Sequence, residues 1–151
     1  MAVTVREAGP ADRVLVGRLL ELYLHDFSEL DGRDVDPDGS YPYPWLDLYW
    51  SDAERVAYVF DVGGRPAGFA LVRLGATAEM AEFFVLRKYR RQGVGAAAAR
   101  DVIARHRGRW VVRQAAENAD ATSFWRRVVP VPFEERCHPD GGVEQAFDTS
   151  A

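Results

Sequence analysis

The chain has 151 residues, a net charge of −4 at pH 7, and 48% hydrophobic and 12% aromatic residues. That length suits one domain with one core, expected over residues 1–151; the charge argues against a general nucleic-acid binder, and no run approaches the ~18 apolar residues of a membrane span, so neither partner is expected. A single cysteine, Cys137, cannot form an internal disulfide, and the N-terminus lacks the basic start and apolar run of a secretory signal, so a cytoplasmic protein is expected.

In chain order, VTVRE alternates and predicts a strand. GPADRVLVGRLLELYLHDF carries apolar residues at helical spacing, with Pro10 near the helix start. Residues 31–44, rich in proline, glycine and aspartate, predict a loop, and WLDLYW a short helix. RVAYVFDVGGRPAGFALVRL reads as two strands around a glycine pair, a hairpin signal, and AEMAEFFVLRK as a third strand. Residues 93–107 predict a helix ended by Gly108, with Arg105, His106 and Arg107 as positive charge on its last turn. RWVVRQA predicts a strand, NADATSFWRRV a short helix, and PFEERCH with VEQAFD a closing hairpin around PDGG. This order predicts an α/β domain with a mixed sheet, hairpins at both ends and one strand–helix–strand crossover in the middle.

Charge is unevenly spread. Residues 26–52 hold eight acids and one base, Arg33; residues 87–113 hold nine bases and one acid, Asp101. The first region looks suited to a cation and the second to an anion. The basic region contains YRRQGVGAAAAR (89–100), where arginines and two glycines precede a helix. The first turn of a helix leaves amide N–H groups unpaired, glycines bare them, and an arginine adds a fork of donors, so this stretch predicts a phosphate cradle. It is not a Walker loop, because no Lys-Ser/Thr follows the glycines. Gly93-Val94-Gly95-Ala96-Ala97-Ala98 fits the dinucleotide fingerprint and Glu117 lies near the distance expected of a ribose acid, but only one of the required βαβ units is present.

A third pattern, Arg90-x-x-Gly93-x-Gly95, resembles that of the GNAT superfamily of N-acetyltransferases, and ENADATSFWRRV is similar to that family's Asn-x-x-Ala-x-x-Phe-Tyr stretch. The predicted element order agrees with it. The resemblance implies a mostly antiparallel mixed sheet flanked by helices, acetyl-CoA as co-substrate, and a small-molecule or peptide amine as acceptor, in a monomer or homodimer. It also implies that Arg90, Arg91, Gln92, Gly93, Val94 and Gly95 bind the coenzyme pyrophosphate. Phe84 and Val85 would present backbone groups to the pantetheine arm, with Asn118 and Trp125 beside it. Glu82, where some members carry a glutamate base, is the candidate base, with Glu79 as a substitute. Flanking apolar residues can raise its pKa toward neutral; the alternative is a carboxylate that orders water or pairs with an arginine. The family usually has a tyrosine acid at the position of Trp125, whose indole N–H donates but does not titrate. A non-catalytic acyl-CoA-binding module of the same fold is therefore the alternative function.

The aromatic, acidic segment falls where the family builds its substrate wall. His25, Tyr41 and Trp45 are the substrate candidates, Tyr43, Tyr49 and Trp50 could also stack on a cation, and a positively charged amine is the expected acceptor; the alternative is a solvated acidic loop with aromatics buried beneath it. DVDPDG at 34–39 imitates half a calcium loop, but Trp45 stands where the bidentate glutamate belongs, and no cluster has zinc spacing, so no metal is expected.

Overall fold

The computed structural model describes residues 2–151. After β1 (Val3–Glu7), a 3-10 turn at Pro10–Asp12 leads into α1 (Arg13–Asp31), which ends at Gly32 in the left-handed conformation (φ 73°). A second 3-10 turn covers Leu46–Trp50. β2 (Arg55–Val62) and β3 (Arg65–Arg73) form the expected hairpin over Gly63 and Gly64, both at positive φ, as a two-residue turn requires. β4 (Thr77–Val85), α2 (Val94–Ala104) and β5 (Arg109–Gln114) make the central crossover, and α3 (Ala119–Val128), β6 (Glu134–Cys137) and β7 (Val143–Asp148) complete the chain.

The seven strands form one sheet in the order β1-β2-β3-β4-β5-β7-β6. Every adjacent pair is antiparallel except β4–β5. That single parallel pair removes the basis for a dinucleotide-binding reading, which needs several. Each face of the sheet is covered. Leu19, Leu20 and Leu24 of α1 pack with Val59, Phe69 and Leu71 on one side; Ala98, Ala99, Val102 and Ile103 of α2 pack with Phe60, Val72 and Trp110 on the other. The alanines of α2 bury completely at Ala98 and Ala99 (both 0% exposed), which lets that helix lie close to the sheet.

α2 stops at Ala104, short of the expected end, and His106 is not the helix-end charge that its position suggests. Its Nε2 lies 2.6 Å from the Tyr58 hydroxyl, and burial lowers its pKa from 6.5, so it is neutral at pH 7. Arg105 takes the terminal role, donating to Asp101 and to the Val5 carbonyl.

A register shift in the β3–β4 ladder sets which way β4 presents its side chains. Leu71 pairs with Glu82 but Val72 pairs with Met80, so Ala81 is an extra, bulged residue. Ala78 and Met80 face α2, whereas Phe84, still an even number away, faces α1. Strict alternation would put Glu82 in the α2 core; the bulge delivers it to the α1 side.

β3 approaches β4 closely at Gly68, where an added Cβ would lie 2.1 Å from the Phe84 carbonyl oxygen. Gly68→Ala is therefore expected to lower stability by at least about 1–3 kcal/mol. Gly9→Ala, with open space around it, should stay within about 0.5 kcal/mol of the parent in the same denaturant titration.

Candidate functional site

β4 and β5 pair only through Thr77–Glu79 and Arg109–Val111. Beyond that the strands part, while β5 stays paired with β7 along its whole length. The gap holds a hollow of about 190 Å³ between Met80–Phe83 of β4, Val112–Gln114 of β5 and the start of α3. Leu86 donates its N–H to Ala67 on β3, and the Phe84 carbonyl points at Gly68, so both turn their backbone toward β3. By the alternation of an antiparallel ladder, Phe83 and Val85 turn theirs toward the gap. Of Phe84 and Val85, the two residues expected to present backbone groups there, Val85 faces the gap and Phe84 faces β3; Phe83 also faces the gap. Arg90 Nε donates to the Val85 carbonyl at 2.8 Å, leaving the Val85 N–H as the group on offer.

At the open end of the gap lies the arginine–glycine loop. The amides of Arg91, Gln92, Gly93, Val94, Gly95 and Ala96 have no hydrogen-bond partner among the described residues; Ala97 is the first to bond back, to Gly93. Six consecutive free N–H groups thus precede and open α2, where its dipole favours an anion. Two left-handed residues shape the loop, Gly93 at φ 80° and Arg91 at φ 60°. Arg91 is the one non-glycine residue with positive φ among those described, a backbone cost typical of ligand-holding turns. Gly95 serves a different need: a Cβ there would press on the Phe124 ring at 3.1 Å.

The side chains of the loop divide their work. Arg90, besides holding Val85, donates to Asp26 on α1 at 2.7 Å and lies over the Phe84 ring, so it braces the loop rather than reaching outward. Arg87 joins the same aspartate at 2.7 Å. The two arginines hold the Asp26 carboxyl below its usual range despite partial burial. Gln92 bonds the Lys88 carbonyl. The Arg91 side chain is exposed and has no partner among the described residues.

Glu82 stands where two hollows meet. It lines the β4–β5 gap and also a second hollow of about 190 Å³ under the loop after α1. Tyr23 donates to Oε1 at 3.0 Å and Tyr43 to Oε2 at 2.9 Å. Burial is the largest influence on this carboxyl and raises its pKa; the two phenols and the positive fields of Arg33 and Arg73 pull the other way without cancelling it. Burial likewise pushes the Tyr23 and Tyr43 phenols well above their ordinary value, so both remain donors. Glu79, the substitute, is paired with Arg73 at 2.7 Å.

Across the gap, Asn118 Oδ1 caps α3 by accepting from the Ala121 amide, and the residue also lines the hollow. Trp125 is 5% exposed and packs edge-on to Phe83 and Phe124. The indoles of Trp50 and Trp110 donate to carbonyls, whereas that of Trp125 has no partner among the described residues. Under the loop after α1, Trp45 lines the second hollow with Tyr23, Phe27, Arg33 and Tyr43. His25 and Tyr41 line neither hollow; they bond loosely to each other and to Ser28 on the outer side of α1. Tyr23 and Phe27 were not among the residues expected to meet a substrate, although they share a helix face at i, i+4 spacing, which is a readable signal. Tyr43 lies in the aromatic segment expected to wall the substrate; its bond to Glu82, 39 residues away, left no signal in the sequence.

No helix among the described residues is long and apolar enough to cross a membrane, and they contain no metal-binding cluster of three His, Cys, Asp or Glu. No curated protein sequence matches the chain. Among solved structures, it is similar to an acetyltransferase from Thermus thermophilus (TM-score 0.76, 17% identity, 98% of this chain and 97% of that one). It is also similar to spermidine N-acetyltransferase from Vibrio cholerae in complex with CoA and spermine (TM-score 0.72, 14% identity, 98% and 96%). A third, the PaiA N-acetyltransferase of Thermoplasma acidophilum in complex with coenzyme A, superposes at TM-score 0.69 with 10% identity over 98% and 99%. At these identities the likeness establishes the fold; membership comes from the sequence model of the acetyltransferase (GNAT) family, which matches residues 17–129. The chain belongs to the GNAT family of acetyltransferases, acyltransferases that use acetyl-CoA as donor.

Proposed function

We propose that residues 1–151 form one N-acetyltransferase domain, cytoplasmic in setting, that acetylates a primary amine of a small molecule or peptide. The observation that carries this reading is the run of six free amides at Arg91–Ala96, opening onto a gap whose β4 edge also lacks a partner. A diphosphate suits the amides, with the exposed Arg91 guanidinium beside them. An amide-bearing pantetheine arm suits the gap, because it can bond the Val85 N–H and Phe83 backbone as a missing strand would. Asn118 and Trp125 border the arm from α3.

Bound acetyl-CoA supplies the activated acyl group; the remaining work falls to the chain. An alkyl amine has a pKa near ~10.4 and must lose a proton to attack. Glu82, with its pKa raised by burial, is the base facing both the amine hollow and the coenzyme gap. Trp125 donates a hydrogen bond to the reacting group but cannot protonate a departing thiolate. Tyr23 holds its proton too tightly to give it to a thiolate whose reference pKa is ~8.5. Glu82, carrying the proton taken from the amine, is the group in the gap able to pass it on. The same tryptophan favours one alternative, a module that binds acyl-CoA without turnover. Acetyl-CoA binding with no acetyl transfer to any of a panel of polyamines, amino acids, aminoglycosides and peptides would establish that alternative.

Gly93→Asp keeps a residue type that tolerates left-handed backbone but places a carboxylate among the free amides. Calorimetry should show coenzyme A affinity falling by about a hundredfold or more; retained micromolar binding would rule out the cradle. Glu82→Gln should lower kcat by about 10²–10⁴-fold with coenzyme affinity little changed. Tyr43→Phe removes a hydrogen bond that favours ionised Glu82, so the acidic limb of the pH–rate profile should move to higher pH. A limb that stays in place would take Glu82 out of the proton transfer.

A further inference from the structure

The acidic segment 26–52 looks in sequence like an electrostatic trap for a polycation, but none of its acids lines the acceptor hollow. Asp26 is held by Arg87 and Arg90, Asp47 by Arg13 and Asp52 by Arg55. Glu29, Asp34, Asp36 and Asp38 are exposed outside it. The segment's single base, Arg33, is the charged residue that does reach the hollow. Its guanidinium is held by two contacts: Nε and Nη2 donate to Asp31 Oδ2 at 2.8 and 2.6 Å, and Cζ lies over the Phe27 ring, 5.6 Å from its centroid. Nη1 takes no part in that pairing and has no partner among the described residues. The hollow therefore carries one carboxylate at its floor, Glu82, and one guanidinium at its rim, with the rings of Tyr23, Phe27, Tyr43 and Trp45 between them.

We infer that the acceptor is a small zwitterion, an amino acid or close relative whose amine lies over Glu82 and whose carboxylate is taken by Arg33. This rests on the acetyl-transfer reading of the same site. A cation over aromatic rings beside a carboxylate is favourable, and an arginine with unused donors donates to a carboxylate oxygen. A second positive group on the substrate would meet Arg33, so a polyamine is disfavoured by the side chain that favours the zwitterion. The hollow, about 190 Å³, has room for a small molecule of this kind.

The test compares matched acceptors at saturating acetyl-CoA: amino acids with one to four carbons between amine and carboxylate, the C-terminal amides of the same compounds, and spermidine. At least one free acid should exceed its amide by tenfold or more in kcat/KM, and exceed spermidine as well. Arg33→Gln, a change at an exposed side chain that leaves the core untouched, should remove most of that preference through KM. Amides or spermidine accepted as well as every acid, or a preference that survives Arg33→Gln, would overturn the assignment. If coenzyme A binds but no amine is acetylated, the transfer reading fails by itself. Calorimetric titration of the same acids and amides into the coenzyme A complex then decides on Arg33: tighter binding of an acid than of its amide, lost in Arg33→Gln, supports the zwitterion, and equal binding refutes it.

Discussion

The parting of β4 from β5 after three paired residues is the constraint on which the rest of the site depends. A parallel pair needs a crossover, and this one brings α2 back across the sheet so that its N-terminus opens beside the end of β4. α3 begins just past the end of β5, so two helix starts border the same gap. Aromatic packing holds the gap open: Phe83 of β4 meets Phe124 and Trp125 of α3 at 5.6 and 5.1 Å between centroids, and those two meet at 5.0 Å. The far end of β5 is committed the other way. Gln114 donates to Gln145 at 2.7 Å, Gln145 to Glu135 at 2.9 Å, and Arg126 grips Glu135 with two donors. The network ties β5 to β7 and β6 rather than to β4, although the Gln114 Oε1 within it is buried without a hydrogen-bond partner among the described residues.

Backbone groups facing a gap need partners, and a ligand with its own amides can meet that need. The phosphate end of the site follows the same rule, since the free amides at the mouth of α2 are the ones any helix start leaves over. What the chain adds is shape. Gly93 and Arg91 turn the loop through left-handed conformations, and Arg90 ties it to both Val85 and Asp26. The loop proposed to hold the coenzyme is thereby braced against α1, the helix that carries Tyr23 and Phe27 into the second hollow.

Features with a local cause were legible in the sequence. Gly93 and Gly95 stood out because a bare helix start is a contiguous pattern, and the hairpin over Gly63 and Gly64 is likewise a two-residue signal. The strands and the central crossover followed from periodicity, because each element buries one face or both. The parts that misled were sums and ends. Eight acids in 26–52 look like one field, but fields act from where side chains point: Asp26 turns toward Arg87 and Arg90, while Arg33 reaches the hollow. The end of α2 looked like a cationic cap, but His106 bonds Tyr58 and burial lowers its pKa, which favours the neutral ring. Glu82 was readable as a candidate, although its surroundings were not. The bulge at Ala81 depends on register with β3, and the phenols that hold the carboxyl come from 59 and 39 residues away.

That carboxyl shows how the site balances stability against chemistry. A buried carboxylate is disfavoured, which is why the pKa of Glu82 rises. Two phenol donors and two nearby arginines favour the ionised form and offset part of that rise, which suits the proton transfer proposed for this carboxyl. The sign of the linkage is fixed by the raised pKa. The folded state holds the proton more tightly than the unfolded chain, so this residue's contribution to stability is fullest at low pH and is lost as pH rises through the folded pKa. The fold is therefore least helped by Glu82 in the range where the proposed base must be ionised, and the hydrogen bonds from Tyr23 and Tyr43 limit that loss while fixing where the carboxylate points.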